Sequence, residues 1–279
     1  MAEYLTTVVL ISVIFMMLGV GLKTALQEVL DVARRFGLVA RGVAANFLLV
    51  PVLICLGLIW LPLAPGVKLG ILLMAAAPVA PMVPPFVDMV KGDVAYSVGL
   101  MVIVAVLSVF LTPLILGLAI PESVGNVDLD PLEIVKTLVV AQLIPISLGM
   151  AIRSQSPTWS ERLLKFVPKI GQYGLIVGVG LILASQAKQF LSMSLLAHLV
   201  IPVGVIACLF IGDRMLVGET MQRRRALAVA TAIRNVPLAF LIAGQNFPGT
   251  VVAPVTLLMG TYTMIFSIGY GKLRRSNST

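Results

Sequence analysis

Residues 75–93 read AAAPVAPMVPPFVDMVKGD, an apolar run that carries Pro78, Pro81, Pro84 and Pro85 within eight residues. Each proline removes a backbone donor and clashes with the preceding helical turn. In hydrocarbon the freed carbonyls must be met by water, side chains or a ligand, which confines such a segment to a protein-lined cavity. The stretch therefore predicts a broken helix, largely unwound over 78–85, in place of a continuous span. A second run, ALAVATAIRNVPLAFLIAGQNFPG (226–249), is interrupted more mildly at Asn235-Val236-Pro237 and holds Arg234, the one basic residue deep inside an apolar run. For this second run a simple proline kink remains an alternative.

Outward from these two runs, the chain has 279 residues, of which 59% are hydrophobic and only 11% charged. A soluble core cannot hide that much apolar surface, and at about 20 residues per span nearly the whole length is needed for crossings of a bilayer. Apolar runs fall near 4–22, 38–61, 67–90, 93–120, 133–152, 167–187, 191–212, 226–245 and 250–270, predicting an all-α integral membrane protein of nine transmembrane helices in one domain, 1–279. The first run has no basic residue before it and exceeds the core of a cleaved signal, so it reads as a retained span. Between the first two runs, Leu26, Val29, Leu30 and Ala33 recur at helical spacing opposite Glu28, Asp31 and Arg35. That pattern fits a helix lying on the membrane surface or a solvated linker helix.

Alternating connections between two sides puts sixteen lysines and arginines on one side and three, Lys68, Lys136 and Lys188, on the other, with Arg234 left within a span. Basic loops stay cytoplasmic, so the N-terminus is expected outside and the C-terminus in the cytoplasm, across a plasma (inner) membrane. The loop at 121–133, with Glu122, Asp128, Asp130 and Glu133, then falls outside. The basic excess is explained by topology, and with aromatics at 6% it does not indicate nucleic acid.

The two interrupted runs are spans three and eight, five apart and opposite in direction. Matching broken helices in inverted halves are the plan of secondary transporters. The first half, 1–120, has four spans and the second, 133–279, has five. Enzyme chemistry finds little footing: no paired carboxylate or Ser/Lys pair lies in the spans, and two cysteines, Cys55 and Cys208, with the single His198 make no metal site or disulfide framework. No cofactor is expected. His198 reads as a buried neutral histidine ahead of a proton relay, and the thirteen methionines as packing. Gln172, Ser185, Gln186, Thr261, Tyr262 and Thr263 either line a polar path or serve helix packing.

Four runs, FMMLGVGL (15–22), GVAANFLLVP (42–51), KGDVAYSV (91–98) and IRNVPLA (233–239), resemble in order and spacing the bile acid:sodium symporter family, and the resemblance covers nearly the whole chain. It implies a panel domain packed on a core domain, two crossing broken helices in the core, and transport of organic anions driven by sodium. Carried over residue by residue, most sodium ligands are replaced. The family's Ser-Asn pair falls on Val83 and Pro84, a threonine on Met101 and the shared glutamate on Ala230. A glutamine becomes Arg234 and another becomes Asn46, while Ser97 matches a family serine. What remains for a cation is Ser97, Asn46, Asn235 and carbonyls around Thr231 and Ile233.

A sodium site requires several hard oxygen ligands, and a guanidinium there repels any cation. Arg234 is thus expected to stand in for the ion, which makes sodium coupling doubtful. A buried arginine needs a carboxylate, helix-end carbonyls or an anionic substrate. Asp88, three residues after Pro85 near the inner end of the first broken run, is the acid expected within reach; it reads as a partner of Arg234, as a protonatable group facing the cavity, or as an interfacial cap beside Lys91. The expected function is alternating-access transport of a small organic anion, with Arg234, Asn235, Asn46 and Pro84 at the substrate and Ser97, Asn46, Thr231 and Asp88 at any coupling ion. A non-transporting receptor or scaffold on the same fold, or a carrier of the related arsenite or auxin type, is the alternative.

Overall fold

The computed structural model describes residues 2–124, 129–247 and 250–276, and its regular structure is helical apart from one isolated β-bridge. Helix α1 (Ala2–Lys23) leads through the short α2 (Leu26–Ala33) into α3 (Phe36–Ala44), which widens into a π-helical turn at Ala45–Leu49 and continues as α4 (Val50–Trp60). The first broken element is α5 (Pro65–Ala76) followed by α6 (Val83–Met89), and α7 (Val94–Val124) returns. Helix α8 (Pro131–Leu138) widens at Val139–Leu143 and continues as α9 (Ile144–Gln155). The surface helix α10 (Pro157–Leu164) precedes α11 (Val167–Ser192) and α12 (Leu195–Met215). The second broken element, α13 (Met221–Ala232) and α14 (Val236–Asn246), is followed by α15 (Val252–Ser276).

Among the described residues, six helical stretches are long and apolar enough to cross a membrane: Thr6–Lys23, Phe36–Trp60, Val94–Ile120, Pro131–Gln155, Leu195–Met215 and Val252–Leu273. They coincide with six of the nine runs read from sequence. The runs at 67–90 and 226–245 form the two broken elements, and 167–187 lies in α11. The side chains of Glu122, Asp128, Ser185 and Gln186 lie outside those described.

Both π turns have a local cause. Pro51 follows Ala45–Leu49 and Pro145 follows Val139–Leu143; each ring would strike the carbonyl four residues back, and a wider turn moves that carbonyl away. The two widened turns bury Asn46 and Gln142, each with no exposed surface.

Helix α1 packs between α9 and α11. Close approach there requires glycine: a Cβ on Gly149 would lie 2.5 Å from the Leu18 carbonyl oxygen and 2.6 Å from the Leu22 nitrogen, and Gly21 faces the Ile146 carbonyl. Small residues that let backbones touch are how helices associate where lipid supplies no hydrophobic contrast. Helices α5, α7, α12, α13 and α15 pack on one another around the two breaks. Large apolar side chains such as Leu53, Phe110, Leu181, Val203 and Phe210 stay exposed on the outer faces, as lipid contact demands.

The surface helix between the first two spans is narrower than its sequence pattern. It buries Val29 and Val32, the latter against Gly99 of α7, while Leu26 and Leu30 are exposed.

Candidate functional site: the crossing of the broken helices

The unwound segment of the first broken element is 77–82, shorter than the 78–85 expected. Pro84 and Pro85 begin α6, where the first helical turn has no intrahelical donors to lose. Val83 and Val87 are fully buried, and Pro84 is half-buried.

The second break is 233–235, between α13 and α14. Here Asn235 caps α14, its Oδ1 accepting from the Leu238 amide at 3.3 Å, and Pro237 sits in the first turn. The two breaks meet as a one-pair antiparallel bridge between Val79 and Arg234. The Ala80 amide donates to the Ile233 carbonyl at 3.2 Å, and the Asn235 amide donates to the Pro78 carbonyl at 2.8 Å. Backbone groups freed by the breaks are thereby paired with each other in a fully buried place, as burial away from water requires.

Side chains complete the crossing. Thr112 of α7 donates to the Ala76 carbonyl at 2.8 Å, taking up a helix-end acceptor. Arg234, 1% exposed, donates from Nη1 to the carbonyls of Ala77 at 3.2 Å and Asn46 at 3.3 Å. Its Nε and Nη2, the two nitrogens of one guanidinium edge, are buried without a hydrogen-bond partner, as is Asn46 Oδ1. The Cys208 thiol of α12 lies against the guanidinium. Asn235 donates from Nδ2 to Gln142 Oε1 at 3.2 Å, and Gln142 Nε2 donates to the Ala105 carbonyl and to Ser108 Oγ, both at 3.0 Å. Neighbouring residues of one break thus reach the two π turns, Arg234 to the first and Asn235 to the second.

Arg234 also borders a cavity of about 360 Å³ between the crossing, α1, α11 and α15. Met16, Pro81, Leu175, Pro237 and Met264 give it apolar walls, Thr261 adds a hydroxyl, and Arg234 is the charged residue on its lining. Another cavity, about 290 Å³ between α4, α5, α12 and α15, is lined by Leu53, Leu58, Val200 and other residues without charge.

The structure joins Arg234 to Asn46 by a hydrogen bond, with Asn235 the next residue in the chain, and among the described residues it shows no hydrogen bond or ion pair from Arg234 to Pro84, Ser97, Thr231 or Asp88. Asp88 is exposed near the end of α6, and among the described residues no ion pair joins it to Arg234, so of its three readings the pairing has no bond behind it. The physical reason is direction: α6 leads away from the crossing, and Asp88 lies at its far end. The Asp88 carbonyl accepts from the Lys91 amide at 2.9 Å as part of the turn that ends the helix. Lys91 occupies the left-handed region at φ 53°, and Asp93 then accepts from the Tyr96 amide at 2.9 Å to start α7. The KGD run is in this way a helix stop followed by a helix start.

Ser97 is buried, with Oγ donating to the Val94 carbonyl at 2.7 Å. Thr231 donates back to the Leu227 and Ala228 carbonyls at 2.7 and 2.9 Å and packs on Gly212. Asn46 Nδ2 donates to the Gly42 carbonyl at 2.8 Å. His198 is half-buried in the first turn of α12, its Nδ1 3.1 Å from the Ser194 carbonyl, so the buried mid-span histidine expected from sequence is corrected to a helix-end position. Gln142, Thr112 and Cys208 at the crossing escape sequence reading. Gln142 had one signal, a buried-type amide just ahead of Pro145 in an apolar run.

Near the α12–α13 connection, Glu219 accepts from Arg223 at 2.8 Å and from Arg41 at 3.0 Å. The Arg223 hydrogen bond is the main reason its carboxyl is held below the ordinary carboxylate range. Asp93 lies 3.6 Å from Arg223, and Asp213 2.6 Å from Arg224.

Residues 10–193 match the sodium bile acid symporter family. The chain is 27% identical over 177 residues to an uncharacterized protein, YbaS, of Bacillus subtilis (strain 168), covering 61% of this chain and 57% of that one. It is 22% identical over 245 residues to the sodium-dependent organic anion transporter of Bos taurus, covering 87% and 65%. It is 23% identical over 238 residues to an uncharacterized sodium-dependent transporter, YocS, of Bacillus subtilis (strain 168), covering 83% and 72%. The chain thus spans less than two thirds of the length of the first two of these relatives. With several helices apolar and long enough to cross a bilayer, and a family match that takes in more than half of its length, this multi-pass membrane protein belongs to the sodium bile acid symporter family.

Proposed function

We propose that the protein is a secondary transporter of small organic anions in which Arg234 takes the place of the coupling cation. One observation carries the reading: a fully buried guanidinium at the crossing of two broken helices has two backbone carbonyls and the Cys208 thiol around it and, among the described residues, no carboxylate, and it borders an apolar cavity. A charge so placed is expensive unless compensated, and an anionic substrate is the natural compensation. The apolar walls suit an organic body behind the anionic group.

The transport cycle in this reading is alternating access, with the α1, α9 and α11 group as a panel moving against a core that contains both breaks. Nine crossings, an outside N-terminus, a cytoplasmic C-terminus and a plasma (inner) membrane location complete it, supported by the basic asymmetry of the connections. Sodium is not obligatory. Thr231 and Ser97 spend their hydroxyl protons on their own helices, but oxygens that bond only backbone make a poor cation cage beside a guanidinium.

The test is thermal stability of the purified protein against a panel of apolar carboxylates and sulfonates, bile acids included, in sodium and in choline buffers. A bound anion should raise the midpoint equally in both. Stabilisation that vanishes without sodium would sink the proposed replacement of the ion, and no stabilisation by any anion would sink the substrate class.

A further inference from the structure

Two clusters of basic residues on this chain differ in how they are neutralised. Arg41, Arg223 and Arg224 are compensated within the protein by Glu219, Asp93 and Asp213. Five others, Lys23, Arg153, Arg162, Lys165 and Lys169, have no ion-pair partner among the described residues.

The fold gathers these five at one end of the α1, α9 and α11 group. The Leu22 carbonyl, next to Lys23, accepts from Arg153 Nη1 at 3.3 Å and from Ser160 Oγ at 2.7 Å, which pins α10 across the ends of α1 and α9. Pro168, next to Lys169, abuts Gly19 of α1. Ser160 is buried beneath α10, whereas Trp159, Arg162, Lys165 and Phe166 are exposed on its outer side. The Arg162 guanidinium lies 5.5 Å over the Trp159 ring. Glu161 is the one acid on α10.

We infer that this surface binds the headgroup of an anionic phospholipid. Charge complementarity selects the headgroup: five uncompensated cations at the ends of lipid-facing helices meet a phosphate layer, and an anionic lipid adds charge that a zwitterionic one lacks. The exposed Trp159 and Phe166 rings supply the apolar part, at the level where aromatic side chains favour the boundary between acyl chains and headgroups. Short amphipathic α10 is the platform, lying in the interface plane with its cations on the exposed side. The inference stands apart from the transported solute, since none of these residues lines the cavity at the crossing.

The experiment uses the purified full chain in detergent, titrated with dioleoylphosphatidylglycerol or dioleoylphosphatidylcholine, with retained lipid measured by native mass spectrometry. Phosphatidylglycerol should be retained in preference, and the preference should shrink in 0.5 M salt. The variant R162Q/K165Q/K169Q should lose about fivefold in affinity per cation removed, the equivalent of about 1 kcal/mol each. The variant K68Q, on a different helix, should keep the full preference. Equal retention of both lipids by the unaltered protein would overturn the inference without reference to any variant's folding. So would an undiminished preference in the triple variant, or a preference abolished by millimolar inorganic phosphate, which would mark a phosphate site in place of a lipid one.

Discussion

Replacing Arg234 with methionine separates a structural strut from a binding group, because the structure puts opposing terms on the same side chain. The substitution removes two hydrogen bonds from Nη1 to the Ala77 and Asn46 carbonyls. Bonds to a charged donor contribute about 1.5–3 kcal/mol each, so the loss is about 3–6 kcal/mol. It also removes two buried donors, Nε and Nη2, that have no partner. Each such group costs about 1–3 kcal/mol, so their removal returns about 2–6 kcal/mol. The two sums nearly cancel, and a flexible thioether can fill much of the vacated space. Arg234→Met should therefore change stability by less than about 4 kcal/mol, a shift of under roughly 16 °C in the thermal midpoint. The ligand response is a separate readout. An anion at a hundred times its Kd stabilises the unaltered protein by about 2.7 kcal/mol, and the methionine variant should lose all of that rise. Arg234→Lys keeps the charge and loses the planar fork, so the anion should bind about tenfold more weakly while folding is preserved. The assay is a thermal unfolding scan of each variant with and without the anion. A destabilisation above about 5 kcal/mol in Arg234→Met would make the residue a strut, and an undiminished ligand response would remove it from the binding site.

Three further outcomes are expected. Asp88→Asn should change stability by less than about 0.5 kcal/mol, and its effect should add to that of any Arg234 variant, since distant groups without shared partners behave independently; a coupling energy above about 1 kcal/mol in a double-mutant cycle would contradict the separation. Gln142→Ala strands the buried Asn235 amide at about 1–3 kcal/mol, while the Ala105 carbonyl keeps the Ser108 hydroxyl at 2.7 Å, so chemical or thermal unfolding should register a loss of about 1–3 kcal/mol. Glu219, held below its ordinary 4.5 by Arg223, contributes stability that is present at neutral pH and lost as pH falls through its lowered value; thermal midpoints measured from pH 6 down to pH 3 should fall less steeply in Glu219→Gln than in the unaltered protein.

The breaks were legible in the sequence because proline acts locally: it denies a donor wherever it stands, and four in eight residues leave no continuous helix. The extent of the first break was not. Pro84 and Pro85 are breakers in mid-helix and welcome residues in a first turn, and which role they take depends on where the helix restarts: the Val83 amide turns back to the Ala80 carbonyl, while Ala80 itself is tied to Ile233 of the other break. Arg234 was conspicuous as a charge in an apolar run, but its partners are carbonyls of Ala77 and Asn46, and backbone acceptors leave no mark on a sequence. Asp88 illustrates the reverse error. Its place just past the prolines of the first break puts it within reach of Arg234 on a sequence reading, whereas the direction of α6 carries it to the exposed end. Gln142 was passed over for a related reason: an amide in an apolar run looks like any packing residue until the second π turn brings it within 3.2 Å of Asn235.

In the proposed reading, the exchange of a bound cation for a guanidinium alters energetics as well as chemistry. A bound sodium and Arg234 both supply positive charge to the same crossing, and both can organise the carbonyls that two broken helices expose. They differ in one respect. The ion crosses down its electrochemical gradient on each cycle and so supplies free energy, whereas the arginine is covalently fixed. A transporter with a fixed charge gains nothing from a sodium gradient, so the anion's own gradient and the membrane potential must drive it. The loaded crossing, guanidinium plus anion, is neutral; the empty one carries a full positive charge, worth about 2.3 kcal/mol per 100 mV if it moves across the whole field. The apolar walls around Arg234 sharpen that difference, because little nearby can screen the empty state. The empty carrier's return, more than the loaded step, is where voltage should act.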